Sequence, residues 1–385
     1  MSCPPPPEIL DLIVDDLHDE PATLKSCCVV SKSWVPRARK YLFARVEFRP
    51  LESHIERWKK TFPDPSNSPA HHTRSLSICG IPVVTAADAG VDGWIRTFHN
   101  VEHLRLDRLG EEEHQTSLAP FYGLSPGVRS LSLISTSIEV FDLICSFPLL
   151  EDLALIGPNR AGADGWNTPS ISPKFTGSLH LRSTWEINSI THRLCTLPGG
   201  LHFTKITLGL SVEDGDPIMD LISSCSDTLE SLSITCFFLV GASPPVSMIS
   251  RTLSPPADIG TSRTPYLDLS KATKLKDLEL RWKRLSVEWI TMALGTVKSE
   301  YLRGITIHPT TAATIEDSIY QEWQELDQLL VQFWTTHSVR PRLAYRVGKG
   351  GQDLRDCAPR LLPELSRRGL VDLVEVPYQY YVELE

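Results

Sequence analysis

The segments VEHLRL at residues 101–106, VRSLSL at 128–133 and LEDLAL at 150–155 share one pattern. In each, an apolar residue and two polar residues lead into two leucines that are separated by one residue. Successive side chains of a β-strand point to opposite faces, so the two leucines face one side and the residue between them faces the other. The pattern therefore predicts a short strand with one buried face in each segment.

The same pattern recurs along most of the chain. The first strand leucine or isoleucine stands at 76, 104, 131, 153, 179, 206, 232, 278 and 305, which gives steps of 28, 27, 22, 26, 27, 26, 46 and 27 residues. A period of 20 to 29 residues with a strand and a helix per unit is the signature of leucine-rich repeats. The long step contains a stretch rich in proline and serine at 237–265, which predicts an insertion on a repeat edge.

Helical patterns fill the intervals between strands, with examples over Ile138–Ser146, Pro217–Ser224 and Val287–Leu294. Near the end, five apolar residues recur at alternating steps of four and three, which predicts one long helix that packs in the core: Ile319, Trp323, Leu326, Leu330 and Phe333. A last unit is expected from Leu343 to Val376, with a helix that ends at Gly369 and closes the core. The predicted fold class is therefore α/β, with an irregular solenoid of parallel strands and helices over residues 73–385.

The first 50 residues differ in sequence pattern from the rest of the chain, and their pattern predicts a unit of three short helices. Prolines favour helix starts at Pro7 and Pro21, and a basic third helix is expected over Pro36–Leu42. The apolar residues of the first helix cover more than one stripe, so this helix should contact two neighbours rather than one. Residues 51–72 read as a linker, because three prolines and no apolar periodicity follow Thr61.

This helical unit resembles the F-box. The resemblance rests on Pro6 to Leu10, Ile13, Leu17, Leu24 and the run Val30-Ser31-Lys32-Ser33-Trp34. It departs from the family at Pro5, where a leucine is usual. The resemblance implies that the unit binds the Skp-type adaptor of a cullin-RING ubiquitin ligase, through Pro7, Ile9, Leu10, Ile13, Leu17 and Trp34. The body is similar to the irregular leucine-rich-repeat regions of fungal F-box proteins, although the usual Asn or Cys after the strand is missing.

Composition narrows the class of protein. The chain has 385 residues, of which 41% are hydrophobic, and a formal net charge of −9, which argues against general nucleic-acid binding. The longest apolar run, Cys236–Ala242, is too short to cross a bilayer, and the start does not resemble a secretory signal. We expect a cytoplasmic or nuclear protein without a membrane segment. The nine cysteines, with no CxxC spacing, are expected to be reduced and mostly buried.

Few motifs for chemistry occur in the sequence. It contains no GxxxxGK and no HExxH, which argues against a nucleotide-binding enzyme or a metalloprotease of that type. Residues 123–127, Gly-Leu-Ser-Pro-Gly, match GxSxG in letters, but the sequence supplies no candidate trio of nucleophile, base and acid to accompany the serine, so a hydrolase is not favoured. His71 and His72 are adjacent but have no accompanying ligand set, so they are expected to be solvated. The basic run from Lys32 to Arg49 is interpreted as a solvated or adaptor-facing surface. The sequence therefore predicts a non-catalytic protein without a metal or cofactor.

Outward strand residues form one continuous face in a repeat array, and this face is the predicted binding surface for a target protein. Its candidate residues are His180, Arg182, Lys205, Asp277, Glu279 and Arg281. The predicted function is a substrate-recognition subunit of an SCF-type ubiquitin ligase, with a basic centre that favours an acidic or phosphorylated segment of the target. Two alternatives stay open: a scaffold or sensor that acts outside a ligase, and an unrecognised hydrolase in a repeat-like shell.

Overall fold

The computed structural model of the protein describes residues 6–49, 52–80, 94–108, 118, 121–136, 140–157, 159, 173–182, 187–211, 215–237, 267–282, 287–308, 317–345 and 354–375. The chain divides into two compact units, the first comprising mainly the residues up to Phe175 and the second mainly those from Thr176 onward. Among the described helices, none combines the length and the apolar composition that crossing a bilayer requires. The predicted insertion 237–265 lies outside the described residues, except for Phe237.

The first unit begins with three helices close to the predicted bounds: α1 (Pro7–Asp16), α2 (Pro21–Val30) and α3 (Val35–Leu42). Proline stands in the first turn of each, where its missing N–H costs no intrahelical hydrogen bond. Their shared core consists of the buried side chains of Val14, Leu24 and Ala38. The partly buried residues that pack against it are Leu17, Cys28, Trp34, Tyr41 and Leu42.

A parallel sheet follows in the same unit. Its strands are β1 (Arg45–Phe48), β2 (Ser75–Cys79), β3 (His103–Asp107), β4 (Ser130–Ile134) and β5 (Asp152–Ile156), and each pairs with the next along the chain. Helix α4 (Glu52–Thr61) connects β1 to β2, and α5 (Phe141–Cys145) precedes β5. The register places Leu76, Leu104, Leu131 and Leu153 side by side. The spacing of the L-x-L segments therefore predicts both the strands and their alignment correctly.

The segment expected to be a linker is ordered instead. Helix α4 occupies its first half, and two 3-10 turns, Pro65–Asn67 and Pro69–His72, occupy the second. The ring of Trp58 lies against Phe43 and Phe48, with centroids 5.9 and 5.6 Å apart, and the ring of Phe62 lies 5.9 Å from Phe43 and 4.9 Å from Trp58. This aromatic packing is stabilising because the rings meet mainly edge to face. The expected boundary at residue 50 is also corrected, since β1 already pairs with β2.

The second unit contains seven parallel strands that pair in chain order: β6 (Ser178–Arg182), β7 (Lys205–Ser211), β8 (Ser231–Phe237), β9 (Asp277–Trp282), β10 (Gly304–His308), β11 (Pro341–Tyr345) and β12 (Asp372–Glu375). Its helices are α6 (Ile187–Cys195), α7 (Gly215–Ser224), α8 (Val287–Thr296), α9 (Asp317–His337), α10 (Leu354–Leu361) and α11 (Pro363–Arg367). Leu179, Ile206, Leu232, Leu278 and Ile305 share one register position. The predicted α/β architecture is thus confirmed.

The long helix α9 buries Trp323, Leu326, Leu330 and Phe333, as predicted, while the side chain of Ile319 lies outside the described residues. The last helical segment is divided into α10 and α11. The start of α11 is capped by Asp327 of α9, whose two carboxylate oxygens accept from the amides of Glu364 and Leu365 at 2.7 and 2.9 Å. This carboxylate is almost fully buried, so a polar residue within the apolar stripe of α9 joins two helices.

An asparagine does follow one strand, which corrects the expectation that none would. Asn159 is fully buried after β5, and its amide nitrogen donates to the carbonyls of Ile156 and Gly157 at 3.1 and 3.2 Å. The hydroxyl of Thr136, which follows β4, donates to the side-chain oxygen of Asn159. These bonds satisfy backbone groups in a turn that is removed from water.

The strand register leads to a first prediction. Single alanine substitutions of Leu106, Leu133 and Leu155, all fully buried, are expected to lower the free energy of unfolding by about 2 to 5 kcal/mol. Substitution of Arg105 or Ser132, which face the other side of the sheet, is expected to change it by no more than about 0.5 kcal/mol. Denaturant melts of the purified variants measure both sets, and equal effects would contradict the register.

Candidate protein-interaction sites

Helix α1 presents an uncovered apolar face. Ile9, Leu12 and Ile13 are 47%, 63% and 49% exposed. Residues three and four apart lie on the same side of a helix, so these three form one stripe. Val14, on the other side, is fully buried in the helical core. Among the described residues, nothing covers this stripe enough to remove it from water.

The residues implied by the F-box resemblance divide into two groups. Ile9 and Ile13 lie on the exposed stripe, and Leu10 is half-buried. Leu17 and Trp34 pack against the core of the helical unit itself. The indole N–H of Trp34 is buried and has no hydrogen-bond partner within the described part of the chain. Pro7 begins α1, but its side chain lies outside the described residues.

Within the described part of the helical unit, three exposed large apolar residues were not among those expected to contact an adaptor: Leu12, Val29 and Val30. Val29 and Val30 close α2 and are 88% and 73% exposed. Sequence alone offered a partial signal for them, because apolar residues cover more than one stripe of α1 and also stand at the end of α2. Which of these residues turn inward depends on where the neighbouring helices pack.

Polar contacts between Asp15 and helix α3 hold α1 in position. Arg37 of α3 donates to both carboxylate oxygens of Asp15, with Nε 2.6 Å from Oδ1, and the hydroxyl of Tyr41 donates to Oδ1 at 2.7 Å. The hydrogen bonds from Arg37 and then from Tyr41 hold the pKa of Asp15 well below its usual range. A bidentate pair of this kind orients the helix as well as stabilising it.

In the second unit, the polar strand face forms three rows across neighbouring strands. The first row aligns Lys205, Ser231 and Asp277. The second aligns His180, Thr207, Ser233, Glu279 and Thr306. The third aligns Arg182, Gly209, Thr235, Arg281 and His308. All six residues predicted to bind a target therefore lie on one face, as the alternation of the strands requires.

These six residues differ in how far they reach the solvent. Lys205 is exposed, and His180 and Asp277 are half-buried. Arg182 and Arg281 are only 8% and 6% exposed, which corrects the expectation that they face the solvent. Burial, followed by the positive charges of Arg182 and Lys205, lowers the pKa of His180. Because Lys205 is exposed, the first row is the most accessible of the three rows.

Glu279 is the centre of a polar cluster on this face. Its Oε1 lies 2.6 Å from Nη2 of Arg281 and 2.6 Å from Nε2 of His308, and Oε2 accepts from the hydroxyl of Ser233 at 2.9 Å. Burial by itself raises the pKa of Glu279, but the hydrogen bond from His308 and the charge of Arg281 outweigh it and lower the pKa to about 2. The carboxylate is therefore ionised throughout the physiological range, and the cluster is a structural ion pair.

The cluster shows why the outward residues cannot be treated alike. Glu279 and Arg281 are two residues apart on one strand, so the alternating pattern places them side by side. His308 comes from the next strand and is 29 residues away in the sequence. No local pattern in the sequence identifies this third partner.

Metal-ligating side chains and cysteine thiols are the remaining groups that could carry chemistry. Within the described residues, no group of three or more His, Cys, Asp or Glu side chains could hold a metal ion. Burial raises the pKa of both Cys145 and Cys225 to about 12. These two thiols therefore stay protonated at neutral pH and act as small apolar core groups.

The chain matches no protein-family model, and it has no match among the curated proteins.

Proposed function

We propose that this protein is the substrate-recognition subunit of an SCF-type cullin-RING ubiquitin ligase. In this proposal the helical unit binds a Skp-type adaptor, and the polar strand face of the second unit binds a target protein. The chain itself carries out no reaction, because ubiquitin transfer is supplied by other subunits that act on a nearby target. A cytoplasmic or nuclear location is part of the same proposal.

The uncovered stripe of α1 is the observation that carries the proposal. The helical unit already has a complete core in Val14, Leu24 and Ala38, so Ile9, Leu12 and Ile13 are not needed to fold it. An amphipathic helix that leaves a contiguous apolar face in water gains stability when a partner covers that face. The F-box resemblance of the same helices supports a Skp-type adaptor as the partner.

Capture of a recombinant Skp-type adaptor by the intact protein tests this function. We expect a stoichiometric complex in size-exclusion chromatography, and co-purification of a cullin when cell extract is used. A folded protein that captures no adaptor would overturn the proposal. The leucine-rich-repeat scaffold that acts outside a ligase would then be the better account of the fold.

The accessible part of the polar strand face supports a site for an acidic target segment. Lys205 is exposed, and His180 lies on the neighbouring strand at the adjacent row. Both therefore present positive or polar groups to a partner, whereas the buried Arg182 does not. Surface charges of this type mainly guide association and choose the partner, so binding should weaken with added salt.

Charge reversal at Lys205 provides the corresponding prediction. We expect Lys205→Glu to reduce recovery of target proteins in quantitative affinity purification, because it places a repulsive charge in the accessible row. Lys271→Glu is the matched control, since Lys271 is also exposed but precedes β9 in a turn. Adaptor capture and thermal stability should stay unchanged in both variants. An unaltered set of recovered proteins for Lys205→Glu would place the target site elsewhere.

A further inference from the structure

A cleft of about 590 Å³ opens in the first unit, at the edge of the sheet where β2, β3 and β4 begin. Four charged residues line it, and three of them are cations: Lys40, Arg74 and Arg129, against Glu102. Three histidines, His71, His72 and His99, also face it. Its volume lies within the range of pockets that hold small ligands.

The histidine side of the cleft is held in place by hydrogen bonds. The short turn Pro69–His72 places both imidazoles at the cleft, with ring centroids 3.9 Å apart. Nδ1 of His71 lies 2.7 Å from the carbonyl oxygen of Ser68 and must donate to it, so Nε2 is left to interact with a ligand. The amide of Asn100 donates to the carbonyl of His71 at 2.6 Å.

The positive charge of the cleft is only partly compensated. Arg129 pairs with Glu151, whereas the closest contact between Arg74 and Glu102 is longer, at 3.9 Å. Within the described part of the chain, no carboxylate lies within ion-pair distance of Lys40, which instead lies over the ring of Tyr41. Burial, followed by the charges of His71, Arg39 and Lys40, lowers the pKa of His72. The surroundings of His72 therefore favour an anion over a further proton.

We propose that this cleft binds a phosphate group that carries two negative charges. The planar guanidinium of Arg74 can donate two parallel hydrogen bonds to phosphate oxygens, and Lys40 adds a compact positive charge. The cations beside the two imidazoles would repel a metal ion, whereas the imidazoles can donate to an anion once they are protonated. Phosphate binding here is independent of the proposed adaptor binding, because the adaptor is proposed to bind the exposed apolar stripe of α1 and not a charged cleft.

Titration of the intact protein with inorganic phosphate tests the site. At constant ionic strength we expect saturable binding in calorimetry and a rise in the pKa of His72, followed by NMR of the histidine rings. Arg74→Gln and Lys40→Gln should each weaken binding roughly tenfold, because each removes a charge-assisted hydrogen bond. Arg303→Gln is the matched control, since Arg303 also stands immediately before a strand and pairs with a carboxylate, Asp277, at 3.2 Å.

Several outcomes separate the possibilities. Equal phosphate binding by wild type and the Arg74→Gln/Lys40→Gln double variant would overturn the site, as would an effect that sodium chloride reproduces. A phosphoserine peptide that binds better than inorganic phosphate would identify the ligand as a phosphorylated protein, and a sugar phosphate that binds better would identify a metabolite. Either result supports the site. Adaptor capture by Arg74→Gln, a residue outside the basic run from Lys32 to Arg49, should be normal, which keeps this test distinct from that of the proposed function.

Discussion

Replacement of both Ile9 and Leu12 by aspartate is expected to abolish capture of a Skp-type adaptor. Each substitution places a charge where the proposed interface removes apolar surface from water. Desolvation of an unpaired polar or charged group costs at least roughly 2 kcal/mol. Two such costs weaken binding by roughly a thousandfold. Titration calorimetry or surface plasmon resonance with purified adaptor measures the loss.

Folding of the variant is not expected to suffer, because both side chains already face the solvent. Substitutions at such positions usually change the free energy of unfolding by about 0.5 kcal/mol or less, and circular dichroism melts check this. Tyr301→Asp is the matched control, since Tyr301 and Leu12 are both 63% exposed. A folded double variant that binds the adaptor as tightly as the wild type would remove α1 from the interface.

The second large effect is expected for Arg281→Met, which should lower the free energy of unfolding by about 3 to 5 kcal/mol. Arg281 is buried and donates through Nε and Nη2 to Oε1 of Glu279 at 3.0 and 2.6 Å. Its loss leaves a part-buried carboxylate with only His308 and Ser233 as partners in the cluster. Denaturant melts at neutral pH measure the change.

An exposed ion pair provides the comparison for this prediction. Arg303 is 70% exposed and pairs with Asp277 at 3.2 Å. Arg303→Met is expected to cost less than about 1 kcal/mol, because water screens an exposed pair and replaces its hydrogen bonds. If both methionine variants lost the same stability, burial would not be the factor that distinguishes the two pairs.

The same cluster predicts how stability depends on pH. The pKa of Glu279 is about 2 in the folded protein, against an ordinary value of 4.5. A carboxyl group whose pKa is lowered on folding stabilises the protein above its unfolded pKa and loses that contribution as pH falls through the folded value. The contribution should therefore disappear between about pH 4.5 and 2. In Arg281→Met the folded pKa should lie closer to the ordinary value, so this loss should be smaller and complete at a higher pH than in the wild type, as acid titrations of the unfolding free energy can show.

These two predictions concern residues that the sequence classified differently from the structure. The sequence predicted that Glu279 and Arg281 face the solvent and bind a target, whereas in the structure they pair with each other, with Arg281 buried and Glu279 part-buried. Sequence placed Leu17 and Trp34 beside Ile9 at an adaptor interface, whereas the structure packs them inside the helical unit. In both cases the sequence shows the residue type, but it does not show which distant residues pack around the side chain and bury it.

The sequence by itself determined the strands that carry the L-x-L pattern and their register, whereas β1 was not predicted. The L-x-L pattern is local, and a slip of one residue would turn every core leucine of a strand toward the solvent. That is why the column from Leu76 to Leu153 and the column from Leu179 to Ile305 could be aligned from spacing alone. The long helix α9 was predicted for the same reason, since its apolar stripe is a local period.

Only the tertiary structure decided which polar groups meet and which apolar faces remain uncovered. The cap from Asp327 to α11 joins residues 37 and 38 positions apart, and the contact of Glu279 with His308 spans 29. Helical periodicity places Ile9, Leu12 and Ile13 on one side of α1, but burial depends on which neighbouring helix packs there. Contacts between distant segments set burial, and burial sets both the pKa of a carboxylate and the availability of an apolar stripe.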